Sequence, residues 1–165
     1  HLNSFIRHAD IVKMANITML SSLAGNSPEG DFKNALFQSF YLYSNNCYGT
    51  SLDVYTSCEK YSNNVFKDIP YLDVTSILND SAKVLVVNVV NRHETNAIPA
   101  DIVLQTGEFT GNVTAKEVNG KSPASSNTRT EEGVSITTRE FKFKGNTIRY
   151  SFPAHSLTQL EIPIK

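Results

Sequence analysis

The sequence predicts a mainly β protein, with residues 1–48 forming an α/β opening and residues 49–165 forming an antiparallel β-sandwich of the jelly-roll kind. Three observations predict it. Apolar residues recur at helical spacing in two places before residue 50. From Ser51 onward the hydrophobic period becomes two and stays there. Clusters of Asn, Gly, Pro and Ser then cut the second region into strand-length pieces at intervals of about 8 to 15 residues.

The first element is a helix from Leu2 to His8, because Leu2, Phe5, Ile6 and Ala9 share one face. No capping residue precedes this stripe, so the opening reads as part of something longer. The mostly apolar run Ile11 to Ile17 predicts a short strand of the kind buried on both faces of a parallel α/β layer. Ser21 to Asp31 is polar and predicts a loop. A second helix is expected from Phe32 to about Ser44, with Phe32, Ala35, Leu36, Phe40 and Tyr43 on one face. Asp31 is placed to cap its start, and Asn45, Asn46 and Gly49 mark its exit. One αβα unit cannot close a barrel alone.

The expected strands follow as SLDVYTS, YLDVTSIL, KVLVVNVVN, ADIVLQT, GNVTAKEVN, VSITTREFKF, TIRYSF and SLTQLEIPI. In the third, Leu85, Val87 and Val89 face one way, while Val84, Val86, Asn88 and Val90 face the other. A strand apolar on both faces belongs at the centre of a sheet. The stretch from Asn119 to Gly133 carries Pro123, Ser125, Ser126 and Asn127 and reads as a long surface loop.

Composition removes several functional classes. Hydrophobic content of 40%, charged content of 19% and a net charge of −1 indicate neither a disordered chain nor a membrane span. Basic residues are scattered and balanced, without the basic, aromatic-interleaved stripe of a nucleic-acid binder. Cys47 and Cys58 are too far apart for a close metal-ligand pair or a dithiol redox motif, which leaves two partly buried thiols or one loop-closing bridge. No metal or cofactor site is expected. Asn16, Asn79 and Asn112 head N-x-Ser/Thr triplets, but such triplets arise often by chance, and Asn16 lies in an apolar run that would bury it.

The search for chemistry finds no phosphate loop, metal helix, nucleophile elbow or CxxC pair. His8, His93 and His155 stand beside Asp10, Glu94 and Ser156, but adjacent strand residues point to opposite faces, so structural roles are expected. Asp10, Asp68 and Asp73 are read as anchors of turn backbone. No catalytic residue is assigned.

The segments FIRHADIVKMANI, NALFQSFYLYSN, DIPYLDVT, VLVVNVVNRHE and YSFPAHSLTQLEI together resemble, in order and spacing, the C-terminal end of α-L-arabinofuranosidases of glycoside hydrolase family 51. The likeness weakens from about residue 105 to 145. It implies a (β/α)8 barrel followed by a jelly-roll sandwich, and an enzyme releasing terminal α-L-arabinofuranosyl groups from polysaccharides and oligosaccharides with retention. Residues 1 to about 10 would end the seventh barrel helix, Ile11 to Ile17 would be the eighth strand, and residues 32–44 the eighth helix. Retention needs an acid and a nucleophilic carboxylate roughly 5–5.5 Å apart. The resemblance puts both glutamates on earlier barrel strands, outside this sequence, so the chain alone is expected to be inactive.

The resemblance places any sugar contact after the eighth strand, at Asn16, Thr18, Met19 and Ser22. Family members often carry glutamine and asparagine where this sequence has Met19 and Ser22. The glycan substrate would be met through the parent barrel, with neither nucleic acid nor membrane as partner. The sandwich reads as a structural or oligomerisation module, and a homo-oligomer is compatible with that. A periplasmic or extracellular location is preferred to a cytoplasmic one. The competing reading is a non-catalytic carbohydrate-binding sandwich, which the absence of Trp and the clustering of Tyr41, Tyr43 and Tyr48 at a helix end disfavour.

Overall fold

The period-two segments become strands, and the computed structural model, which describes residues 1–17, 23–28 and 30–165, arranges them as predicted. In chain order the elements are α1 (Leu2–Arg7), β1 (Ala24–Ser27), β2 (Gly30–Lys33), α2 (Ala35–Asn46), β3 (Thr50–Leu52), β4 (Lys60–Tyr61), β5 (Ile69–Pro70), β6 (Leu72–Asn79), β7 (Val84–Asn91), β8 (Ile98–Val103), β9 (Asn112–Gly120), β10 (Val134–Lys142), β11 (Thr147–Phe152) and β12 (Ser156–Pro163). Six of the strands form one antiparallel sheet ordered β10-β9-β12-β7-β6-β3, and β11 pairs with β8 in a second layer. β7 is interior, as its two apolar faces require.

Alternation along β7 decides what each face meets. Leu85, Val87 and Val89 join Leu72, Val113, Ala115, Leu160 and Ile162 in the main core, closed by Phe109, Ile148 and Phe152. Each of the larger of these side chains contributes about 1.5–3 kcal/mol through burial. Val90 points the other way, into a smaller cluster of Leu42, Val118 and Leu157 that seats α2 on the sheet. The sheet is therefore covered on both faces. Gly49, at φ 132, carries the chain from α2 into β3; a Cβ there would lie 2.0 Å from the Leu78 carbonyl oxygen.

The α/β opening departs from expectation in four ways. Residues 12–17 are irregular rather than a strand, and Ile11 and Met14 are largely exposed. A parallel strand needs neighbours on both edges, and among the described residues none lies beside it. Second, Ala24–Ser27 and Gly30–Lys33 pair as a hairpin, so Phe32 and Asp31 belong to β2 and Asn34 takes the N-cap position of α2. Third, α2 presents Gln38 and Leu42 to the sheet, leaving Leu36 and Tyr41 about half exposed. Fourth, α1 buries Asn3 rather than its apolar stripe, and Phe5 is open.

SLDVYTS also pairs for a shorter length than predicted. β3 is an edge strand of three residues, after which the chain turns away and Tyr55 is almost fully exposed. Short edges limit unwanted strand pairing. The loop expected over residues 119–133 is on the surface but is tied down. Asn127 donates to the Lys33 and Val134 carbonyls and accepts from the Val134 N–H, while Glu132 accepts from Gln38 on α2.

Candidate functional site

Of the four residues expected near sugar, only Asn16 can be placed. Thr18, Met19 and Ser22 lie outside the described residues. Asn16 is exposed on the irregular segment, contrary to the burial expected of it. The predicted contact set is thus not assembled among the described residues.

What the fold does assemble is a polar junction between the two helices and the outer face of the sheet. Asn3 of α1 donates to the Asp73 carbonyl at 2.9 Å and accepts from the hydroxyls of Tyr43 at 2.6 Å and Thr75 at 2.9 Å. Thr75 lies opposite Asn88 on β7 and accepts from its amide at 3.5 Å, and Asn88 in turn lies opposite Gln159 on β12, whose amide donates to Asn88 at 2.7 Å and meets the Asn46 amide at 2.6 Å. Asn88 and Gln159 are 0% exposed. Asn88 donates toward the Cys47 sulfur at 3.4 Å. One continuous set of side chains therefore links α1, the whole exit of α2, β6, β7 and β12.

Electrostatics reinforce that junction. Asp73 receives Arg7 from α1 and Arg92 from the end of β7, each at 2.6 Å, and its side chain is 11% exposed. Burial pushes the Tyr43 phenol well above its ordinary range, with Cys47 and Asp73 adding and Arg7 opposing. Burial also pushes the Cys47 thiol up to about 11, against a hydrogen bond from Asn88 that lowers it. Both groups stay neutral and serve as packing and hydrogen-bonding residues. Cys47 and Cys58 are free.

The acids are employed structurally. Glu117 pairs with Arg139 and accepts from the Tyr150 hydroxyl at 2.8 Å, and Glu161 pairs with Lys116. A cleft of about 560 Å³ lies between the end of α1 and β3, lined by His8, Asp10, Asp53 and Thr75 among others. Among the described residues no group of three His, Cys, Asp or Glu side chains could hold a metal ion.

His93 and His155 take the structural roles expected. His93 Nδ1 accepts from the N–H groups of Thr95 and Asn96, closing a turn, and its ring packs at a tilt against Tyr71, 4.7 Å between centroids. His155, at φ 41, reaches the carbonyls of Glu94 and Gly120 with its two ring nitrogens. Ser156 donates to the Pro153 carbonyl instead of to that ring. The tyrosines at the exit of α2 do not form a platform, since Tyr43 is turned inward onto Asn3 while Tyr41 and Tyr48 face solvent.

The junction residues were not singled out as functional from sequence, although one signal was there. Asn88 interrupts an otherwise apolar strand, and a polar residue in such a place must find partners. Asn3 and Gln159 carry no comparable signal, because their partners come from distant parts of the chain.

Comparison with known proteins identifies the architecture. Residues 1–156 match the family described as the α-L-arabinofuranosidase C-terminal domain. α-L-Arabinofuranosidase C of Emericella nidulans is 32% identical over 170 residues, which cover 96% of this chain and 32% of that protein. A probable α-L-arabinofuranosidase C of Aspergillus fumigatus is 30% identical over 172 residues with the same coverage of 96% and 32%. The chain thus spans about one third of the length of these relatives. Among solved structures, a family 51 arabinofuranosidase from Xanthomonas axonopodis pv. citri superposes with a TM-score of 0.85 at 17% identity, covering 97% of this chain and 33% of that one. An α-L-arabinofuranosidase from Thermotoga maritima, in complex with arabinose, gives 0.82 at 20% identity, covering 94% and 35%. At these identities the superpositions establish the fold.

Proposed function

Because this chain belongs to the α-L-arabinofuranosidase C-terminal domain family, we propose that it is the non-catalytic end of a retaining α-L-arabinofuranosidase. The parent enzyme removes terminal non-reducing α-L-arabinofuranosyl groups from arabinose-containing polysaccharides and oligosaccharides. Residues 1–48 are the closing segment of its (β/α)8 barrel, and residues 49–165 its sandwich. The general acid and the nucleophile are glutamates of earlier barrel strands, so this chain supplies neither. The observation that carries the reading is the match over residues 1–156, which runs through both the α/β opening and the sandwich.

In this reading the polar junction is what the chain contributes. A barrel is catalytically competent only when its strands hold carboxyl groups to within fractions of an ångström. Fixing the twelve-residue α2 to the sheet surface through Asn46, Gln159, Asn88 and Leu42 gives the last barrel helix a rigid support. Asn16, Thr18, Met19 and Ser22 are, in this reading, the proposed sugar contacts of the parent's active-site face. The enzyme acts outside the cytoplasm, where its polysaccharide substrates are. A homo-oligomer is compatible with this reading, and neither nucleic acid nor membrane is proposed as a partner.

The test is turnover of an aryl α-L-arabinofuranoside by the full-length parent, followed by proton NMR of the first-formed sugar. The reading expects α-L-arabinofuranose, the retained anomer. Absence of turnover on any arabinofuranoside, or an inverted first product, overturns it.

A further inference from the structure

We infer that Asn112 is an N-glycosylation site and that the glycan projects from the open end of the outer sheet face. The triplet Asn112-Val113-Thr114 crosses the start of β9. Val113 is 0% exposed and fixes the register, so Asn112 is turned to the opposite face and is exposed. Its carboxamide has no hydrogen bond among the described residues. Its neighbours across the strands, Lys142 opposite it and Glu140 and Glu161 opposite Thr114, are hydrophilic and tolerate a sugar.

The direction of the side chain is set by the turn before it. Gly111, at φ 78, is held from two sides: its carbonyl accepts from the Phe143 N–H at 2.9 Å, and the preceding Thr110 N–H donates to Pro163 at 2.8 Å. The helix α2 covers the other end of β9, at Val118. Val118 lies six positions along the strand from Asn112, about 20 Å at the usual rise, and Lys116, which lies opposite the junction residue Gln159, four positions along, about 13 Å. A glycan on Asn112 therefore clears the junction and leaves the support of α2 intact.

The other two triplets lack this combination. Asn79 uses its Oδ1 to accept from Ser81 and Ala82 and so holds the β6–β7 turn. Its Cα is also crowded by Gly49, where even a Cβ would stand 3.0 Å away. Asn16 lies on the segment assigned above to the interior of a barrel. Its exposure here therefore does not make it an acceptor in the parent.

The reaction is a group transfer from a lipid-pyrophosphate-linked oligosaccharide in the secretory pathway. Asn112 Nδ2 forms a bond to the anomeric carbon, the bond from that carbon to the phosphate oxygen breaks, and the lipid pyrophosphate leaves with the electron pair. The amide gives up one proton. Asn112 becomes a hydrophilic mark on the face of the sandwich farthest from α2 along the strand.

This inference rests on the extracellular reading of the parent, and the experiment separates the two. The full-length protein is recovered from its native source, treated with peptide-N-glycosidase in ¹⁸O-water and mapped by peptide mass spectrometry, with culture medium and cell lysate analysed separately. The expected result is protein in the medium whose Asn112 peptide carries labelled aspartate, with the Asn79 peptide unlabelled. Secreted protein with an unlabelled Asn112, or with label on Asn79 alone, overturns the glycan and leaves the location standing. Protein found only in the lysate with unlabelled Asn112 overturns both. In a eukaryotic secretory host, Asn112→Gln and Thr114→Val must each abolish the glycosidase-sensitive gel shift; its persistence in either variant places the glycan elsewhere.

Discussion

Replacing Gln159 with Leu tests the polar junction at its most buried point. The two side chains are close in volume, so the change removes hydrogen bonds and leaves little cavity. Gln159 is 0% exposed, and its amide satisfies Asn88 at 2.7 Å and Asn46 at 2.6 Å. Without it, two amide groups in a water-excluded layer lose a partner, at about 1–3 kcal/mol each, partly offset by the apolar gain of leucine. The expected destabilisation is about 2–4 kcal/mol. Urea unfolding followed by far-ultraviolet circular dichroism reads this as a fall in midpoint at unchanged slope. The double variant Gln159→Leu with Asn88→Leu removes both partners, so it should be less destabilised than the two single changes added together. A loss below about 0.5 kcal/mol for Gln159→Leu, comparable to an ordinary surface change, would show that the junction does not hold α2 to the sheet.

Two further outcomes follow from the titration shifts. Cys47, with its thiol pushed up to about 11 by burial, should react with a maleimide near pH 8 roughly 100-fold more slowly than an unhindered thiol of ordinary pKa; stopped-flow labelling resolved by peptide mapping measures this, and reaction at the ordinary rate contradicts the buried placement. Tyr150 is pushed up to about 12 by burial and by its hydrogen bond to Glu117. Its folded value lies above its unfolded value, near 10, so its contribution is whole below pH 10 and is lost as pH rises toward 12. Urea midpoints taken across that window should fall more steeply in the parent sequence than in Tyr150→Phe, and equal slopes would remove Tyr150 from the account.

Legibility in the sequence followed the range of the interactions. The sandwich strands were readable because alternation is local: VLVVNVV declares two buried faces and a central place, and the structure gives β7 both. The α/β opening was readable as to element type in α1 and α2 but not as to which face is seated. In α2, Ala35, Leu36, Phe40 and Tyr43 form the more apolar stripe, yet the helix rests on Gln38 and Leu42. Two surfaces compete for such a helix, and periodicity reports only the more apolar one. In α1 likewise, Asn3 is drawn inward by Asp73, Tyr43 and Thr75, which lie some 40 to 72 residues away in sequence. The strand expected over Ile11 to Ile17 needs parallel neighbours, and hydrophobicity alone cannot supply them. Asp31 illustrates a smaller failure, where hairpin pairing with Asn26 at 2.6 Å takes a residue that capping rules would place at the helix start.

The division of labour between this chain and its parent is tested most directly by assaying the 165-residue chain itself. Purified free of the full-length enzyme, it should release no aryl group from an aryl α-L-arabinofuranoside under conditions in which the parent turns over. Hydrolysis by the isolated chain, surviving rechromatography and co-eluting with it, would place the catalytic carboxylates within these residues and contradict the assignment.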